Sequence, residues 1–565
     1  MEDDSMSGTG AASHACASCK KNKRRCDKHL PSCGSCLKTG RVCDYSTAAL
    51  YANESDISDL QRRVQELEEH VLELQNKIPR ASSGNEVLNG DYFIHHRLYP
   101  SLSTQAYYLD SEVWSSLNVS DQSNQIYAPD EITAALGSQS DIDHIRAEYF
   151  QSIHIGMPCI SRIRVLRLTQ SPRGALKADI ALLLLCMKLV QEVPHRQDPR
   201  SLELYTTTKE FSKRLELEGL LTLRTVQASL LLLIYEIGHG MFPAAFTTIG
   251  FCARQGVALG LHSKLAPQLH GKPRTWVDWE ERQRVWWTIV ILDRYVALGG
   301  DYRPLCTDDP GRDTLLPADD HAWDSGEMVP PERVSLSSQT VHTLSPFARL
   351  AQAANLLGRV IRHCNDTTLE INFVLDDFET LCQAIYSLME LLPNDDPLVR
   401  MDATLARTVC FRWASIKQGL YIPYPLQSVL TDSHSALFKL SNHHSCDLFD
   451  EENKYLDTQI APRVRECMQK CLHIIKDVCG QTTSLIQRVR EVLTQDTLKQ
   501  ISPLMLNCIY ICAQNIAWMA HETGDPQFVI GKLMCEDVLR LLDGRWRTAG
   551  KALESFFGEL SLDLV

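Results

Sequence analysis

The chain has 565 residues, but it contains neither a long apolar run nor a secretory leader. Apolar runs such as 180–186 and 230–234 are far shorter than the roughly 18 residues that a membrane span requires. Residues 1–15 are polar and include three acidic side chains, which predicts a disordered start and no export signal. The protein is therefore expected to be soluble and to keep its cysteines reduced rather than in disulfides.

Motifs of common enzymes are missing as well. The sequence has no His-Glu-x-x-His zinc protease motif, no Gly-x-Ser-x-Gly nucleophile turn and no glycine-rich phosphate loop. No sequence feature therefore supports catalysis.

Glycine and proline are modest in number, with 28 and 24 residues. From about residue 141 the chain is rich in leucine at helical spacing and shows few β-branched alternations, which predicts an all-α domain over 141–565. Its length allows one large core or two lobes. The preceding stretch 79–140 is rich in Ser, Asn, Asp and Gly without a sustained period, which predicts a flexible linker.

Positive charge is scarce in the chain as a whole and concentrated near its N terminus. The formal net charge is −13. The window 16–45 holds eight Lys or Arg against two Asp, a local charge of plus six, so the remainder carries minus nineteen. Only this window is expected to attract nucleic acid, and the acidic remainder should repel phosphate.

Six cysteines lie in that basic window, where even scattering would place about one. They form two Cys-x2-Cys-x6-Cys units separated by six residues: Cys16, Cys19, Cys26, Cys33, Cys36 and Cys43. Six thiolates cannot complete two separate four-sulfur sites, but they suffice if two zinc ions share two sulfurs. The spacing predicts a cofactor of two zinc ions.

The two units differ in charge. Residues 20–25 of the first unit align with residues 37–42 of the second, and the first set carries most of the cations. We predict that this set contacts DNA: Lys20, Lys21, Asn22, Lys23, Arg24 and Arg25. The same run could serve as a nuclear import signal.

The segment 16–45 resembles the fungal zinc binuclear cluster transcription factors. The resemblance rests on the cysteine spacing, the basic stretch after Cys19, and the positions of Asp27, Pro31 and Tyr45. It implies that two cysteines bridge the metals and that each site is completed by two more: Cys16 and Cys33 as bridges, Cys19 and Cys26 in one site, and Cys36 and Cys43 in the other.

The resemblance also implies how the segment would recognise DNA. In that family a short helix after the second cysteine enters the major groove, where Lys23 would donate to O6 and N7 of a guanine in a CGG half-site. Lys20 and Arg25 would contact phosphate. Asn22 stands where the family pattern usually has a basic residue.

A heptad pattern follows the short linker 46–56. Its apolar positions alternate three and four apart over 57–78: Ile57, Leu60, Val64, Leu67, Val71, Leu74 and Ile78. Alternation of β-branched residues with leucine favours a parallel two-stranded coiled coil, so we predict a homodimer, with Pro79 ending the helix. The alternative is an amphipathic helix that lies on the body of its own chain.

Three blocks of the long C-terminal part resemble the fungal-specific middle homology region of the same family. They lie near residues 149–158, 227–262 and 281–304. The resemblance implies a helical regulatory domain. Arg282, Trp286, Val290 and Asp293 share one helical face, which predicts a buried polar link to a neighbouring loop rather than an active site.

Three smaller features of the C-terminal part carry separate expectations. His443, His444 and Cys446 are close in sequence but are expected to form an ordinary surface loop. The pairs Cys467 with Cys471 and Cys508 with Cys512 are expected to be buried as small apolar groups. Residues 545–565 mix acidic and bulky apolar side chains, which suits either an acidic activation segment or a last amphipathic helix packed on the body.

These observations together predict a nuclear, homodimeric transcription factor of RNA polymerase II that binds double-stranded DNA and does not enter a membrane. We expect it to activate a pathway or a secondary-metabolite gene cluster with co-regulators. The alternative is a soluble helical scaffold or enzyme that uses its zinc module only for protein contacts.

Overall fold

The computed structural model describes residues 12, 15–43 and 45, and then 126–391 and 461–560 with short internal gaps. The chain divides into two compact units, Met1–Asp91 and Tyr92–Val565. No β-strand occurs in the described segments, where isolated bridges pair Tyr127 with Lys177 and Leu315 with Ser335. The prediction of an all-α fold is confirmed for these segments. The predicted coiled coil at 57–78, the cluster around His443 and nearly all of 1–15 lie outside them.

The described part of the first unit, within residues 12–45, contains two short helices, α1 (Ala17–Lys21) and α2 (Gly34–Thr39). Each begins directly after a cysteine and carries a second cysteine at its third position. The two helices pack against each other around the cysteine side chains. The sequence repeat is therefore also a structural repeat.

The second unit is a helical array. Between residues 126 and 391 the α-helices are α3 (Asp130–Leu136), α4 (Gln139–Gln151), α5 (Ile153–Gly156), α6 (Arg162–Thr169), α7 (Ala178–Leu189), α8 (Glu203–Leu217), α9 (Leu223–Gly238), α10 (Phe242–Ala258), α11 (Trp276–Ala297), α12 (Asp320–Ser325), α13 (Pro346–Asn365) and α14 (Ile371–Glu390). After the gap at 392–460 come α15 (Ala461–Val492), α16 (Gln495–Leu498), α17 (Leu504–Thr523), α18 (Pro526–Asp543) and α19 (Arg547–Leu560).

Helical structure begins earlier in this unit than the sequence predicted. Helix α3 lies inside the stretch 79–140, for which a linker was expected. It forms because two acidic residues occupy its first turn, where the helix dipole favours negative charge, and because Ile132 and Leu136 are buried. Ser138 then starts α4 through a capping box with Asp141. Because α3 has only seven residues, its apolar positions do not produce a sustained helical period in the sequence.

The core of the second unit is built around α9, which is buried on nearly every side. A helix that is apolar all round must be surrounded, and α9 packs against α7, α10 and α11. Helix α7 is itself buried over almost its whole length.

Residues 546–548, between α18 and α19 and in the first turn of α19, contact this core. The fully buried Trp546 donates from its ring nitrogen to the carbonyl of Ile501 at 2.7 Å. Thr548 donates to the carbonyl of Ile237 at 2.8 Å, at the end of α9. A Cβ at Gly238 would overlap the Trp546 ring, so the close approach requires glycine there. The first turns of α19 thus pack on the body, as one of the two alternatives for 545–565 proposed.

Candidate zinc centre and DNA-contacting surface

The six cysteines converge in the first unit. Their sulfur atoms form two groups of four, and within each group all ligand atoms lie within 4.8 Å of one another. The first group contains Cys16, Cys19, Cys26 and Cys33, and the second contains Cys16, Cys33, Cys36 and Cys43. Two cysteines therefore belong to both groups, which is the grouping that the family resemblance implies.

The spacing of the sulfur atoms fits zinc. Sulfurs bound at about 2.3 Å in a tetrahedron stand about 3.8 Å apart. The Sγ atom of Cys16 lies 3.7 Å from that of Cys33 and 4.0 Å from that of Cys26. The Cys19 and Cys33 sulfurs are 3.6 Å apart, as are those of Cys16 and Cys36. All four distances agree with a thiolate cage around two metal ions.

The two shared cysteines also start the two helices. Cys16 is the N-cap of α1, and its Sγ accepts a hydrogen bond from the backbone N–H of Cys19 at 3.5 Å. Cys33 caps α2 in the same way, accepting from Cys36 at 3.4 Å. Each shared sulfur is thus held by its own helix, and the helix N-terminus favours its negative charge.

Burial and hydrogen bonding shift the thiol pKa values in opposite directions. Desolvation by burial raises the pKa of Cys36 to about 11 and raises the pKa of Cys16 well above its ordinary value. A hydrogen bond from the backbone N–H of Cys33 lowers the pKa of Cys43. Since a zinc ligand must be a thiolate, the charge of the metal would hold the buried pair deprotonated.

Two contacts outside the sulfur cage join the halves of the repeat. The backbone N–H of Gly34 donates to both carboxylate oxygens of Asp27, at 3.1 and 2.9 Å. A Cβ at Gly34 would stand 2.5 Å from Asp27 Oδ2, so any side chain there would displace this carboxylate. The Tyr45 hydroxyl donates to the His29 carbonyl at 3.1 Å and lies 3.7 Å from Cys26 Sγ. No role was predicted for Gly34 from the sequence, because its hydrogen-bond partner Asp27 is seven residues away and no local motif links the two.

The six residues predicted to contact DNA are all exposed on the first half of the cluster. Lys20 and Lys21 lie in the last turn of α1, and Asn22 is its C-cap. The basic residues therefore lie at the C-terminal end of α1 and in the segment just after it. Their side chains are exposed to solvent there.

Lys23 occupies an unusual backbone conformation. Its φ is +48°, in the left-handed region that residues other than glycine seldom adopt. Its N–H donates to the carbonyl of Lys20 at 3.2 Å, and the N–H of Arg24 donates to the carbonyl of Cys19 at 3.0 Å. This pair of bonds is a Schellman motif, which usually has glycine at the position of Lys23.

Buried charges in the second unit serve its architecture. Arg284 of α11 is fully buried between the carboxylates of Glu280, at 3.0 Å, and Asp320, at 2.7 Å. Asp293 accepts hydrogen bonds from the backbone N–H of Cys306 at 3.1 Å and of Thr307 at 2.9 Å. The prediction that Asp293 makes a buried polar link to a loop is confirmed, and these groups have structural partners.

The thiol pairs of the second unit are buried as predicted. Cys467, Cys471, Cys508 and Cys512 are each at most 5% exposed. Among the described residues, the groupings of Cys, His, Asp or Glu that could hold a metal ion are the two in the first unit. Within the described segments, no helix has both the length and the apolar character needed to span a bilayer.

A two-zinc cysteine cage with an exposed basic edge defines the class of zinc-dependent DNA-binding modules. Residues 14–51 match the fungal Zn(2)-Cys(6) binuclear cluster domain, whose fold binds two zinc ions. Residues 147–398 match the fungal specific transcription factor domain. The second match begins in α4 and covers the core helix α9 and the buried charges of α11.

Several curated proteins are similar to this chain. Transcription factor BOA15 of Botryotinia fuckeliana (strain B05.10) is 52% identical over 180 residues, which are 32% of this chain and 99% of that protein. Transcription factor tazR of Aspergillus terreus (strain NIH 2624 / FGSC A1156) is 24% identical over 301 residues, 50% of this chain and 46% of tazR. The notoamide biosynthesis cluster transcriptional coactivator notQ' of Aspergillus versicolor is 35% identical over 134 residues, 21% of this chain and 26% of notQ'.

The chain belongs to the fungal zinc binuclear cluster transcription factor family. It spans almost all of BOA15 but less than half of tazR and notQ'. BOA15 and tazR are named transcription factors and notQ' a transcriptional coactivator, so the family is one of transcription regulators rather than enzymes. DNA binding, zinc binding and transcription regulation are therefore properties of the class to which the chain belongs.

Proposed function

We propose that this protein is a nuclear, sequence-specific regulator of RNA polymerase II transcription that binds CGG-type half-sites as a homodimer. The observation that carries the proposal is the lysine at the end of α1. Lys23 has φ of +48°, whereas the equivalent residue of the second half, Gly40, has φ of +62°. A lysine in this conformation costs about 1–2 kcal/mol, a cost that Lys28, with φ of +63°, shares; at Lys23 it falls within the exposed basic run, which supports a role in binding.

The sulfur geometry supports a proposed set of zinc ligands. We propose that Cys16 and Cys33 bridge the two ions, since each belongs to both groups of four. Cys19 and Cys26 would complete one site, and the remaining two cysteines the other. Zinc supplies the fold of the first unit and balances most of the thiolate charge, so the surrounding cations are left to face DNA.

The basic residues of the first half are expected to play three roles. Lys23 would donate to O6 and N7 of a guanine in the major groove. Lys20 and Arg25 would contact phosphate, and Lys21 and Arg24 would add to the local positive potential. The exposure of all these side chains supports this proposal.

Homodimerisation would supply the specificity that one cluster lacks. One module contacts about three base pairs, and two tethered modules add their contacts through effective concentration. We propose that the heptad positions of 57–78 form the parallel coiled coil and that 46–56 sets the spacing of the half-sites. The segment from 79 would connect this dimer to the helical regulatory unit.

The helical unit would adjust activity through co-regulators. The name of notQ' states that it is a transcriptional coactivator of a biosynthesis cluster. This likeness and the family membership support the proposal that the present chain activates a pathway or a secondary-metabolite gene cluster. Because Trp546 and Thr548 pack on the body, only the acidic and apolar residues that follow them in 545–565 would act as an activation segment.

Selection of bound duplexes from a random pool tests this proposal. The zinc-loaded full chain should enrich duplexes with CGG half-sites, because a positioned lysine discriminates guanine. Lys23→Ala should lose that enrichment. Lys38→Ala is the matched control, since Lys38 is exposed in the second half and should not contact bases. Zinc-loaded protein that enriches no duplex would contradict the proposal and favour a protein-contact role for the zinc module.

A further inference from the structure

Asn22 is the one uncharged residue in the run 20–25, and its side chain is bound back onto its own helix. We propose that Asn22 is a positioning residue: its amide closes the C-terminal turn of α1 and thereby holds Lys23 in the direction needed to reach a base. The inference rests on the proposed function, because it assumes that Lys23 contacts DNA. It gives a role to the residue that stands where the family pattern usually has a cation.

The carbonyl of Ser18 receives two hydrogen bonds from Asn22. The side-chain Nδ2 donates to it at 2.7 Å, and the backbone N–H donates to it at 3.2 Å. Helix α1 has only five residues and correspondingly few internal hydrogen bonds. One additional bond across its last turn is therefore a large part of what keeps that turn closed.

The second half of the cluster contains the same contact with a different side chain. Thr39 is equivalent to Asn22, and its Oγ1 donates to the carbonyl of Ser35 at 2.8 Å. Ser35 is in turn equivalent to Ser18. There the next residue is Gly40, which adopts a positive φ without strain. The contact is thus repeated, but only in the first half does it precede a strained residue.

This difference explains why the amide of Asn22 should matter for recognition. If the last turn of α1 opens, Lys23 can relax to a negative φ, which turns its Cα–Cβ bond and displaces the ammonium group by several bond lengths. The two Schellman bonds oppose that relaxation, and the Asn22 amide holds the turn on which they depend. In the second half the equivalent residue is Gly40, which has no side chain whose direction such a change could alter.

A direct contact between Asn22 and a base is the competing role. Such a contact would require the amide to leave the carbonyl of Ser18. The two roles make different predictions for a threonine at this position, because threonine can close the turn, as Thr39 does, but cannot reach as far as asparagine.

The experiment measures binding of the zinc-loaded full chain to a CGG-containing duplex and to a scrambled duplex by fluorescence anisotropy. Asn22→Ala should weaken specific binding about threefold to tenfold, leave scrambled binding unchanged, and keep two zinc ions by native mass spectrometry. The salt dependence should not change, because Asn22 neutralises no phosphate. Thr39→Ala is the matched control and should bind both duplexes like the original protein.

Two further variants separate positioning from direct contact. Asn22→Thr should restore specific binding, and Asn22→Ala should cause no further loss in a Lys23→Gly background, where there is no side chain to position. Unchanged specific binding by Asn22→Ala, or a loss that Asn22→Thr fails to restore and that persists with Lys23→Gly, would overturn the inference. If the unsubstituted protein itself does not distinguish the duplexes, the proposed function fails instead.

Discussion

Lys23 and Gly40 occupy equivalent positions in the two halves of the zinc cluster and share a left-handed backbone, with φ of +48° and +62°. The following residue closes the same hydrogen bond in both halves, from Arg24 to the carbonyl of Cys19 at 3.0 Å and from Arg41 to that of Cys36 at 3.1 Å. The two halves therefore share one backbone conformation. They differ in the residue at the left-handed position, which is a lysine in the first half and a glycine in the second.

Replacing Lys23 with glycine should separate stability from recognition. Glycine relieves the left-handed strain, so the first unit should become more stable by about 1 kcal/mol. Specific DNA binding should weaken by about 1 to 3 kcal/mol, because the base contact is lost. Chelator titration measures the first effect, and anisotropy with a CGG duplex measures the second.

The converse substitution is the control for that separation. A Cβ at Gly40 would meet no atom within 4 Å, so Gly40→Lys adds backbone strain without a steric clash. It should destabilise the first unit by about 1 kcal/mol without changing the bases selected. A Lys23→Gly variant that is less stable than the original would contradict the strain argument.

Replacing Cys33 with serine should remove both metal ions together. Its sulfur belongs to both groups of four, so each site would lose a ligand. Native mass spectrometry of the full chain should show no protein with one zinc at neutral pH. Cys306→Ser is the control, because this thiol is exposed in the second unit. A stable one-zinc species would show that Cys33 is not shared.

Replacing Gly34 with alanine should weaken the junction between the two halves. The new methyl group would stand 2.5 Å from Asp27 Oδ2 and displace the carboxylate from the backbone N–H. We expect a loss of about 1 to 3 kcal/mol, seen as zinc release at lower chelator concentration. Ser35→Ala, one residue further along α2, should release zinc like the original protein, since its backbone carbonyl is retained.

Replacing Arg284 with alanine should destabilise the second unit alone. The change breaks a fully buried ion pair and leaves Arg333, at 3.0 Å, as the remaining cation beside Glu280, so it should cost about 3 kcal/mol. All nine tryptophans lie outside the zinc cluster, so thermal unfolding followed by tryptophan fluorescence reports on this loss. Zinc content should not change. The exposed Arg312→Ala should unfold at the original temperature.

The second unit should also lose stability in acid through His239. Desolvation by burial, together with the charges of Arg545, Lys551 and Arg547, lowers the pKa of His239 to about 3. The folded state therefore holds this ring neutral, whereas the unfolded chain binds a proton below about pH 6.5. Stability is present in full above pH 6.5 and falls as the pH decreases towards 3.

His239→Gln should reduce that pH dependence. The ring is fully buried, and its Nδ1 accepts from the backbone N–H of Arg547 at 3.4 Å, a bond that a glutamine oxygen can accept. Urea unfolding followed by tryptophan fluorescence at pH 7 and pH 5 measures the difference. An equal loss of stability between these two pH values in both proteins would exclude His239 as the source.

Several properties of this protein followed from the sequence alone. Cysteine spacing indicated a shared-ligand zinc cluster, because the number of thiolates and the coordination number of zinc leave few arrangements. Leucine spacing indicated an all-α second unit, and local charge predicts that the first half of the cluster contacts DNA. These are properties of composition and short-range period, which a linear sequence displays directly.

Other properties depended on the tertiary structure. The left-handed φ of Lys23, the amide of Asn22 on the Ser18 carbonyl and the burial of Arg284 between Glu280 and Asp320 were not predicted. Backbone dihedral angles and contacts between distant residues are decided by packing and hydrogen-bond satisfaction, which residue spacing does not encode. The sequence alignment set Lys23 opposite Gly40, but only the folded backbone revealed that a lysine occupies a glycine conformation.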